Sequence, residues 1–422
     1  MNITRRRFSR IAVAATAGIV SPAIWASERA QAAPIRIGTS VSLTGPLAGS
    51  KNALIGYQLW RDDINAAGGL LGRQVEIVAY DDQSSPASVP SLYSKLTDID
   101  KVDVLISPFG SALSAPIMPF VKQRDLFMIG MFALAGNDVV RHNKYFHSGP
   151  WGPNSQFNWT RGFFDLAKHA GCKRIAILAA DVEGPKIAAS GGRTIAQEYG
   201  MNVVYDQGYP PTINDFSSIL RNIRAAEPDA VFVSSYPSDS VAFVRGLSEI
   251  GVGDTVKLLG GAMIGLQYAS LLTNLGAALN GIVNAHVCVP EPTIKTDKIA
   301  DFLARYEPIA RSQGLDPLGH YAPPFAYVAG QMIAAAIGGA GSLRHEEMAN
   351  YLHSNAIDTM MGKVRFNEIG DWTERRVLMI QFRDIKGKDA QQFRQPGKQV
   401  VLDPPVLATA ELAQPFNKAR SS

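Results

Sequence analysis

The chain has 422 residues and a formal net charge of +4, with 41 basic and 37 acidic residues. Five Arg and one Glu fall within residues 1–32, so the rest of the chain is balanced, with 36 residues of each sign. A balanced domain lacks the basic face that nucleic-acid binding requires, so no nucleic-acid partner is expected. The roughly 390 residues after position 32 exceed one comfortable hydrophobic core, so two lobes are expected.

The N-terminus has the pattern of an export signal. Residues 4–10 read Thr-Arg-Arg-Arg-Phe-Ser-Arg, residues 11–25 are apolar and alanine-rich, and residues 30–32 read Ala-Gln-Ala. This order predicts a twin-arginine signal peptide over residues 1–32 and a periplasmic mature protein. A membrane anchor is the alternative, and it is disfavoured because Gly18 and Pro22 interrupt a run shorter than the ~20 residues a span needs.

The mature chain opens with one βαβ unit. Residues 34–43 alternate and are rich in β-branched side chains, which predicts a strand. Apolar residues then recur at helical spacing from Leu54 to Ile64, and Gly68-Gly69 ends that helix. Residues 75–79 form the next predicted strand.

Strands and helices continue to alternate along the chain. Further strands are predicted at 102–107, 126–130, 144–147, 174–179, 203–206, 230–234, 256–259 and 281–289. Further helices are predicted at 112–123, 155–169, 185–199, 216–225, 241–250, 299–311 and 321–337. Two runs of about four strands, separated near Trp151, predict an α/β protein of two doubly wound lobes joined by a hinge.

The later segments return to complete both lobes. The expected division is 33–151 plus about 286–362 for lobe 1, and 152–285 plus about 363–390 for lobe 2. Residues 391–422 are rich in Gln, Pro and Lys and are predicted to be an extended surface tail. Ligands bind outside the carboxyl ends of strands in such sheets, so a solute cleft is expected between the lobes.

No catalytic set is recognisable in the sequence. There is no G-x-x-x-x-G-K-[ST] motif, and His345-Glu346-Glu347 lacks the second histidine of a zincin. The sequence therefore predicts no enzyme, no cofactor and no metal site. Cys172 and Cys288 are the only cysteines, and they either pair in an oxidising compartment or remain as two buried thiols.

Three short stretches carry a family resemblance. Residues 42–46 read Ser-Leu-Thr-Gly-Pro, residues 62–69 read Asp-Asp-Ile-Asn-Ala-Ala-Gly-Gly, and residues 80–82 read Tyr-Asp-Asp. These three stretches resemble the corresponding sequences of the periplasmic solute-binding proteins of the Leu/Ile/Val-binding family, the type I receptors of ABC importers. The resemblance implies a monomer that captures a small-molecule solute and delivers it to ABC permease subunits in the inner membrane. The alternative is a ligand-sensing protein that docks on a membrane signalling receptor.

The resemblance also suggests pocket residues in the first lobe. Ser111 matches the carboxylate-binding serine of the family, although a serine at a helix start is also a simple N-cap. Residues 130–134 stand where the family has Ser-Pro-Ala-Ala-Thr. Phe132 is larger than the usual alanine, Ala133 follows it, and Leu134 replaces the threonine. Phe109 precedes Ser111 on the same predicted strand end.

The second lobe departs further from an amino-acid site. Tyr236 resembles the cleft tyrosine of the family, and Glu183 stands at the position of another tyrosine. Ala262 stands where amino-acid binders often carry the acidic partner of the ligand ammonium. Trp151, at the crossing between lobes, either caps the cleft or packs in the hinge.

These departures leave two interpretations of the solute. A buried ammonium without a counter-charge costs several kcal/mol. The favoured interpretation is an aromatic or aliphatic carboxylate, held by Ser111 and walled by Phe109, Phe132 and Tyr236. In the other, Glu183 or Asp181 supplies the missing charge, and a branched-chain or other amino acid fits.

Overall fold

The computed structural model describes residues 33–421. The predicted twin-arginine signal over residues 1–32 lies outside the described residues. The strands, in chain order, are β1 (Ile35–Val41), β2 (Val75–Asp81), β3 (Val104–Phe109), β4 (Met128–Met131), β5 (Tyr145–His147), β6 (Arg174–Ala180), β7 (Asn202–Tyr209), β8 (Ala230–Ser235), β9 (Leu258–Met263), β10 (Val283–His286), β11 (Ile357–Thr359), β12 (Gly362–Val364), β13 (Leu378–Phe382) and β14 (Gln399–Asp403).

Helices cover both faces of the sheets. In chain order they are α1 (Ala53–Ala66), α2 (Val89–Asp98), α3 (Ser111–Ser114), α4 (Met118–Gln123), α5 (Ser155–His169), α6 (Glu183–Glu198), α7 (Ser217–Ala225), α8 (Pro237–Ile250), α9 (Ala269–Leu275), α10 (Asp297–Ser312), α11 (Ala322–Ala340), α12 (His345–Ser354) and α13 (Phe416–Ser421). The predicted helix 112–123 is divided by a 3₁₀ turn between α3 and α4, where Pro116 and Pro119 lack the N–H that a continuous helix needs.

Two sheets define two lobes. Lobe 1 contains a five-stranded parallel sheet in the order β2-β1-β3-β4-β5. Lobe 2 contains a seven-stranded sheet in the order β14-β13-β10-β9-β8-β6-β7. Every residue of β3, β4, β8 and β9 is buried, as expected for strands covered by helices on both faces. The predicted doubly wound α/β architecture is confirmed.

Late segments of the chain complete lobe 1. Helix α11 packs against α1, although the two are more than 200 residues apart in sequence. Two glycines permit this close approach. A side chain at Gly56 would meet the Pro323 carbonyl oxygen at 2.2 Å, and one at Gly330 would meet the Trp60 ring at 2.1 Å. This close packing explains why most residues of α11 are buried.

The end of the chain differs from the prediction. Residues 391–422 were expected to form an extended tail, but β14 pairs antiparallel with β13 at the edge of the second sheet. Helix α13 buries Phe416 in the lobe 2 core. Val400, Val401 and Leu402 are all buried, and this apolar run supplies the physical reason for the strand.

The chain passes between the lobes three times. The crossings lie between β5 and α5, between β10 and α10, and between β12 and β13. The expected boundary near residue 362 falls inside the β11–β12 hairpin, which packs against α11 in lobe 1. The third crossing therefore comes later, after Trp372. Among residues 33–421, no single helix has the length and apolarity to cross a bilayer, and the α11–α12 pair reaches that threshold only jointly, with a bend of 103°.

Both cysteines are free and buried. Burial raises the pKa of both thiols, Cys172 and Cys288, to about 12, so neither forms a thiolate readily at neutral pH. We expect a thiol reagent to label almost none of the native protein, and two thiols per chain after denaturation. Labelling of the Cys172→Ala and Cys288→Ala variants would assign each thiol. Fewer than two reactive thiols in the denatured, unreduced protein would contradict this expectation.

Candidate functional site

A cavity lies between the lobes, at the carboxyl ends of β3, β8 and β9. It has a volume of about 440 Å³, including the part that is open to solvent. Both lobes supply its walls, and six aromatic side chains dominate them. The lining residues are Phe109, Gly110, Ser111, Phe132, Leu134, Trp151, Trp159, Gly184, Pro185, Ala188, Ser234, Tyr236, Ala262, Ile264 and Tyr321.

Phe132 is the centre of the aromatic wall. Its ring centroid lies 4.7 Å from that of Tyr321, 5.1 Å from that of Trp151 and 5.3 Å from that of Phe325. The Phe109 ring completes the group, with its centroid 6.0 Å from that of Phe132. Edge-to-face and tilted contacts of this kind fix aromatic rings in place. The wall is therefore rigid on the lobe 1 side.

The backbone at Phe132 is unusual. Its φ is +57°, in the left-handed region that a bulky side chain rarely adopts. This conformation costs about 1–2 kcal/mol. It occurs one residue after β4 ends, where the chain must turn to bring the ring into the cavity. Strain that the surrounding packing maintains at a cleft is typical of functional sites.

The cavity lining contains no Asp, Glu, Lys, Arg or His side chain. Its polar side-chain groups are the hydroxyls of Ser111, Ser234, Tyr236 and Tyr321 and the indole N–H groups of Trp151 and Trp159. Burial raises the pKa of Tyr236 to about 12 and the pKa of Tyr321 well above its usual value. Both phenols are therefore neutral at physiological pH and can donate hydrogen bonds.

Ser111 lies at the start of the helical segment 111–123. Its hydroxyl donates to the Leu134 carbonyl oxygen at a long 3.3 Å, and Gly110 before it has a φ of +84°. No described side chain caps this helix start. The first N–H groups of a helix have no partner within it, and the helix dipole is positive there. The Ser111 end of the cavity is thus suited to an anion.

Helix α6 begins on the opposite side of the cavity. Gly184, Pro185 and Ala188 lie on its cavity face, whereas Glu183 is exposed. Burial is the largest cause of the raised pKa of Tyr236, and an interaction with the Gly184 backbone offsets only part of that rise. The Tyr236 backbone N–H donates to Asp239 Oδ1 at 3.1 Å, and this hydrogen bond fixes the position of the residue. Burial raises the pKa of Asp239 to about 6.

The lobes are closed over the cavity. Helix α3 of lobe 1 contacts α6 of lobe 2. At the mouth, a side chain at Gly49 would meet the Tyr268 ring at 3.1 Å. The Tyr268 ring in turn lies 5.9 Å from the Tyr321 ring, edge to face. The described conformation is therefore one in which a solute would be enclosed.

Most of the predicted site residues lie together. Of the nine, the cavity lining includes Phe109, Ser111, Phe132, Leu134, Trp151, Tyr236 and Ala262. Ala133 is fully buried but lies outside this lining. Glu183 is exposed at the start of α6 and lies outside this lining, although its carboxylate is close enough to help raise the pKa of Tyr236, after the larger effect of burial. Asp181 instead pairs with Lys186 at 2.5 Å, with both side chains about 60% exposed.

Several lining residues were not predicted from the sequence. Tyr321 immediately precedes α11, and the Ala322-Pro323-Pro324 start of that helix was a usable signal. Trp159 lies one turn into α5 and packs edge to face on Trp151 at 5.2 Å. Ser234 is the penultimate residue of the fully buried β8, two residues before Tyr236. Within residues 33–421, no three His, Cys, Asp or Glu side chains are grouped so that they could hold a metal ion.

Comparison with known proteins identifies the family. A family model described as "Periplasmic binding protein" matches residues 34–384. The chain belongs to this family. An amino acid binding protein of Pseudomonas aeruginosa is 24% identical over 372 residues, which are 82% of this chain and 91% of the relative.

Solved structures share the fold. The solute-binding protein of an ABC transporter from Rhodopseudomonas palustris BisB5, in complex with 3,4-dihydroxybenzoic acid, has a TM-score of 0.70 at 19% identity. The alignment covers 84% of this chain and 94% of the R. palustris protein. A branched-chain amino acid transporter substrate-binding protein from Streptococcus pneumoniae, in complex with isoleucine, also has a TM-score of 0.70 at 19% identity, with coverages of 88% and 100%.

Membership of the periplasmic binding proteins establishes the general role. The family consists of periplasmic receptors for small-molecule solutes that work with ABC transporter permeases, and its members are not enzymes. This confirms the predicted receptor class. Periplasmic binding proteins close two domains around their ligand by a hinge motion.

Proposed function

We propose that this receptor binds an aromatic monocarboxylate between its lobes and delivers it to an ABC importer. One observation carries the proposal: six aromatic side chains and no ionised side chain line the cavity. An α-amino acid would bring an ammonium group into this lining, and a buried ammonium without a counter-charge costs several kcal/mol. The site thus favours a solute whose only charge is negative.

The Ser111 end of the cavity accepts that negative charge. The Ser111 hydroxyl and the backbone N–H groups of the first turn of α3, which no described side chain caps, can donate to a carboxylate. A planar ring then lies among Phe132, Trp151 and Tyr321. The R. palustris neighbour, solved in complex with 3,4-dihydroxybenzoic acid, supports this class of solute.

We further propose that the receptor is an exported monomer. The twin-arginine pattern of residues 4–10 supports export in the folded state. Membership of the family favours an ABC importer as the partner over a signalling receptor.

Mass spectrometry of solute retained by the purified protein would identify the ligand directly. An aromatic acid is expected, and a retained amino acid would contradict the proposal.

Calorimetry with matched probes tests the solute class. Benzoate and 4-hydroxybenzoate are expected to bind. Benzyl alcohol lacks the carboxylate and phenylalanine adds an ammonium, so both are expected to bind at least about 100-fold more weakly. Tight binding of leucine with no response to either benzoate would overturn the proposal.

The Ser111→Ala variant tests the anion end of the site. Because a hydrogen bond to a charged group contributes about 1.5–3 kcal/mol, we expect benzoate affinity to fall roughly 10- to 100-fold in calorimetry. Ser114→Ala is the matched control. Ser114 is buried on the same helix and donates to the Pro108 carbonyl oxygen at 3.0 Å, outside the cavity lining. Equal losses in both variants would show a structural effect and not a ligand contact.

A further inference from the structure

Trp151 is both a cavity wall and a part of the hinge. It follows β5 in the first crossing between the lobes, and only 1% of its surface is exposed. Its ring packs edge to face on Phe132 and on Trp159, one from each lobe. The orientation of this one indole therefore sets the shape of the cavity on both sides.

A buried histidine holds the polar edge of this indole. Trp151 Nε1 donates to His147 Nδ1 at 3.4 Å. His147 is fully buried, and burial lowers its pKa to about 3, so the imidazole is neutral and Nδ1 is free to accept. The ring proton then resides on Nε2. His147 itself is absent from the cavity lining.

The other edge of the imidazole faces the segment that directly precedes the third crossing. His147 Nε2 lies 3.3 Å from Asp371 Oδ1, without the alignment of a good hydrogen bond, and both side chains are fully buried. Asp371 Oδ2 accepts from the Asn154 N–H at 3.3 Å, directly before α5 of lobe 2. The histidine thus stands between the cavity wall and a carboxylate that contacts lobe 2.

The backbone at His147 is fixed independently. Its N–H donates to the Gly370 carbonyl oxygen at 2.8 Å, and its carbonyl oxygen accepts from Trp372 Nε1 at 2.8 Å. A side chain at Gly149 would meet the Trp151 ring at 2.1 Å, so the indole is also confined on its other side. A rigid histidine can therefore fix the indole that it contacts.

We propose that His147 is a positioning residue for solute binding: it fixes the Trp151 indole as a cavity wall and links that wall to the two hinge crossings. The measurement of solute affinity that tests this inference rests on the proposed function. The spectroscopic measurement of the indole needs no solute. The histidine needs no solute contact to act, because its effect passes through Trp151 Nε1.

Three substitutions separate the two contacts of the imidazole. His147→Asn keeps an acceptor near the Nδ1 position, His147→Gln moves the amide toward the Nε2 position, and His147→Leu removes both. In a ¹H–¹⁵N spectrum of the indole groups, assigned with Trp151→Phe, the Trp151 resonance is expected to keep its position in the Asn variant. It is expected to move upfield in the Gln and Leu variants, and benzoate affinity is expected to fall about tenfold in these two only.

The outcomes distinguish the inference from the proposed function. Unchanged indole resonances in the Leu variant, or equal loss of affinity in Asn and Leu, would overturn the positioning role. If wild-type protein binds no benzoate, the proposed solute fails, yet the indole spectra still decide the role of His147. If the variants do not fold, hydrogen exchange of the wild-type Trp151 indole decides. Slow exchange is expected, and exchange as fast as that of an exposed indole would overturn the inference.

Discussion

Replacing Phe132 with alanine is expected to destabilise the protein by about 3–5 kcal/mol, because it removes a buried ring from a packed aromatic group. It also enlarges the cavity, since Phe132 contacts Tyr321, Trp151 and Phe325 at once. We expect benzoate to bind more weakly and a larger naphthoate to gain affinity relative to benzoate. Chemical denaturation and calorimetry measure the two effects.

Phe146→Ala is the matched control for this substitution. Phe146 is fully buried in β5 of the same lobe but is not in the cavity lining. A similar loss of stability is expected there, with the ranking of benzoate over naphthoate unchanged. The left-handed backbone predicts a second difference. Glycine is expected to be more stable than alanine by about 1 kcal/mol at position 132, and less stable by 0.5–1 kcal/mol at position 146.

Introducing an acidic side chain at Ala262 is expected to abolish binding of aromatic acids. Ala262 is 2% exposed and lines the cavity, so the Ala262→Asp carboxylate would share this buried cavity with the carboxylate of the solute. Like charges in a buried site repel strongly, and a fall of more than about 100-fold in benzoate affinity is expected at pH 8. Affinity is expected to recover partly as the pH falls and the new carboxylate is protonated.

The neutral isostere separates charge from size. Ala262→Asn has the same shape as the acidic variant without its charge, so it is expected to lose at most about tenfold, independently of pH. Calorimetry of both variants against benzoate and against phenylalanine provides the comparison. If the Asp and Asn variants lost affinity equally at every pH, the effect would be steric and the absence of charge in the native site would not explain its selectivity.

The scaffold was predictable because its signals are local. The βαβ unit at residues 35–81, the strands before Ser111 and Tyr236, and the crossing near Trp151 follow from turn residues and apolar periodicity. Ser111 and Tyr236 themselves were indicated by the family resemblance. Such signals fix where strands end. In a doubly wound sheet the strand ends form the site, and seven of the nine predicted residues do line the cavity.

The misplacements have a different origin. Glu183 was assigned by position in the sequence, but helix periodicity turns it to solvent and puts Gly184 and Ala188 on the cavity face. Tyr321 reaches the site from α11, far along the chain, and no local pattern states which strand ends a late helix will face. Similarly, β14 is a short apolar run, and its pairing with β13 depends on tertiary contacts that the local sequence does not show.

The three crossings have a consequence for how the molecule can be divided. Lobe 1 needs α11 against α1, and lobe 2 needs β13 and β14 from the last part of the chain. Neither lobe is complete until almost the whole polypeptide has been synthesised, so non-local contacts govern both folding steps. Loss of β14 would also leave β13 as an open edge for pairing with other chains. No single cut of the chain therefore yields a separate lobe, because each lobe is built from segments on both sides of the other.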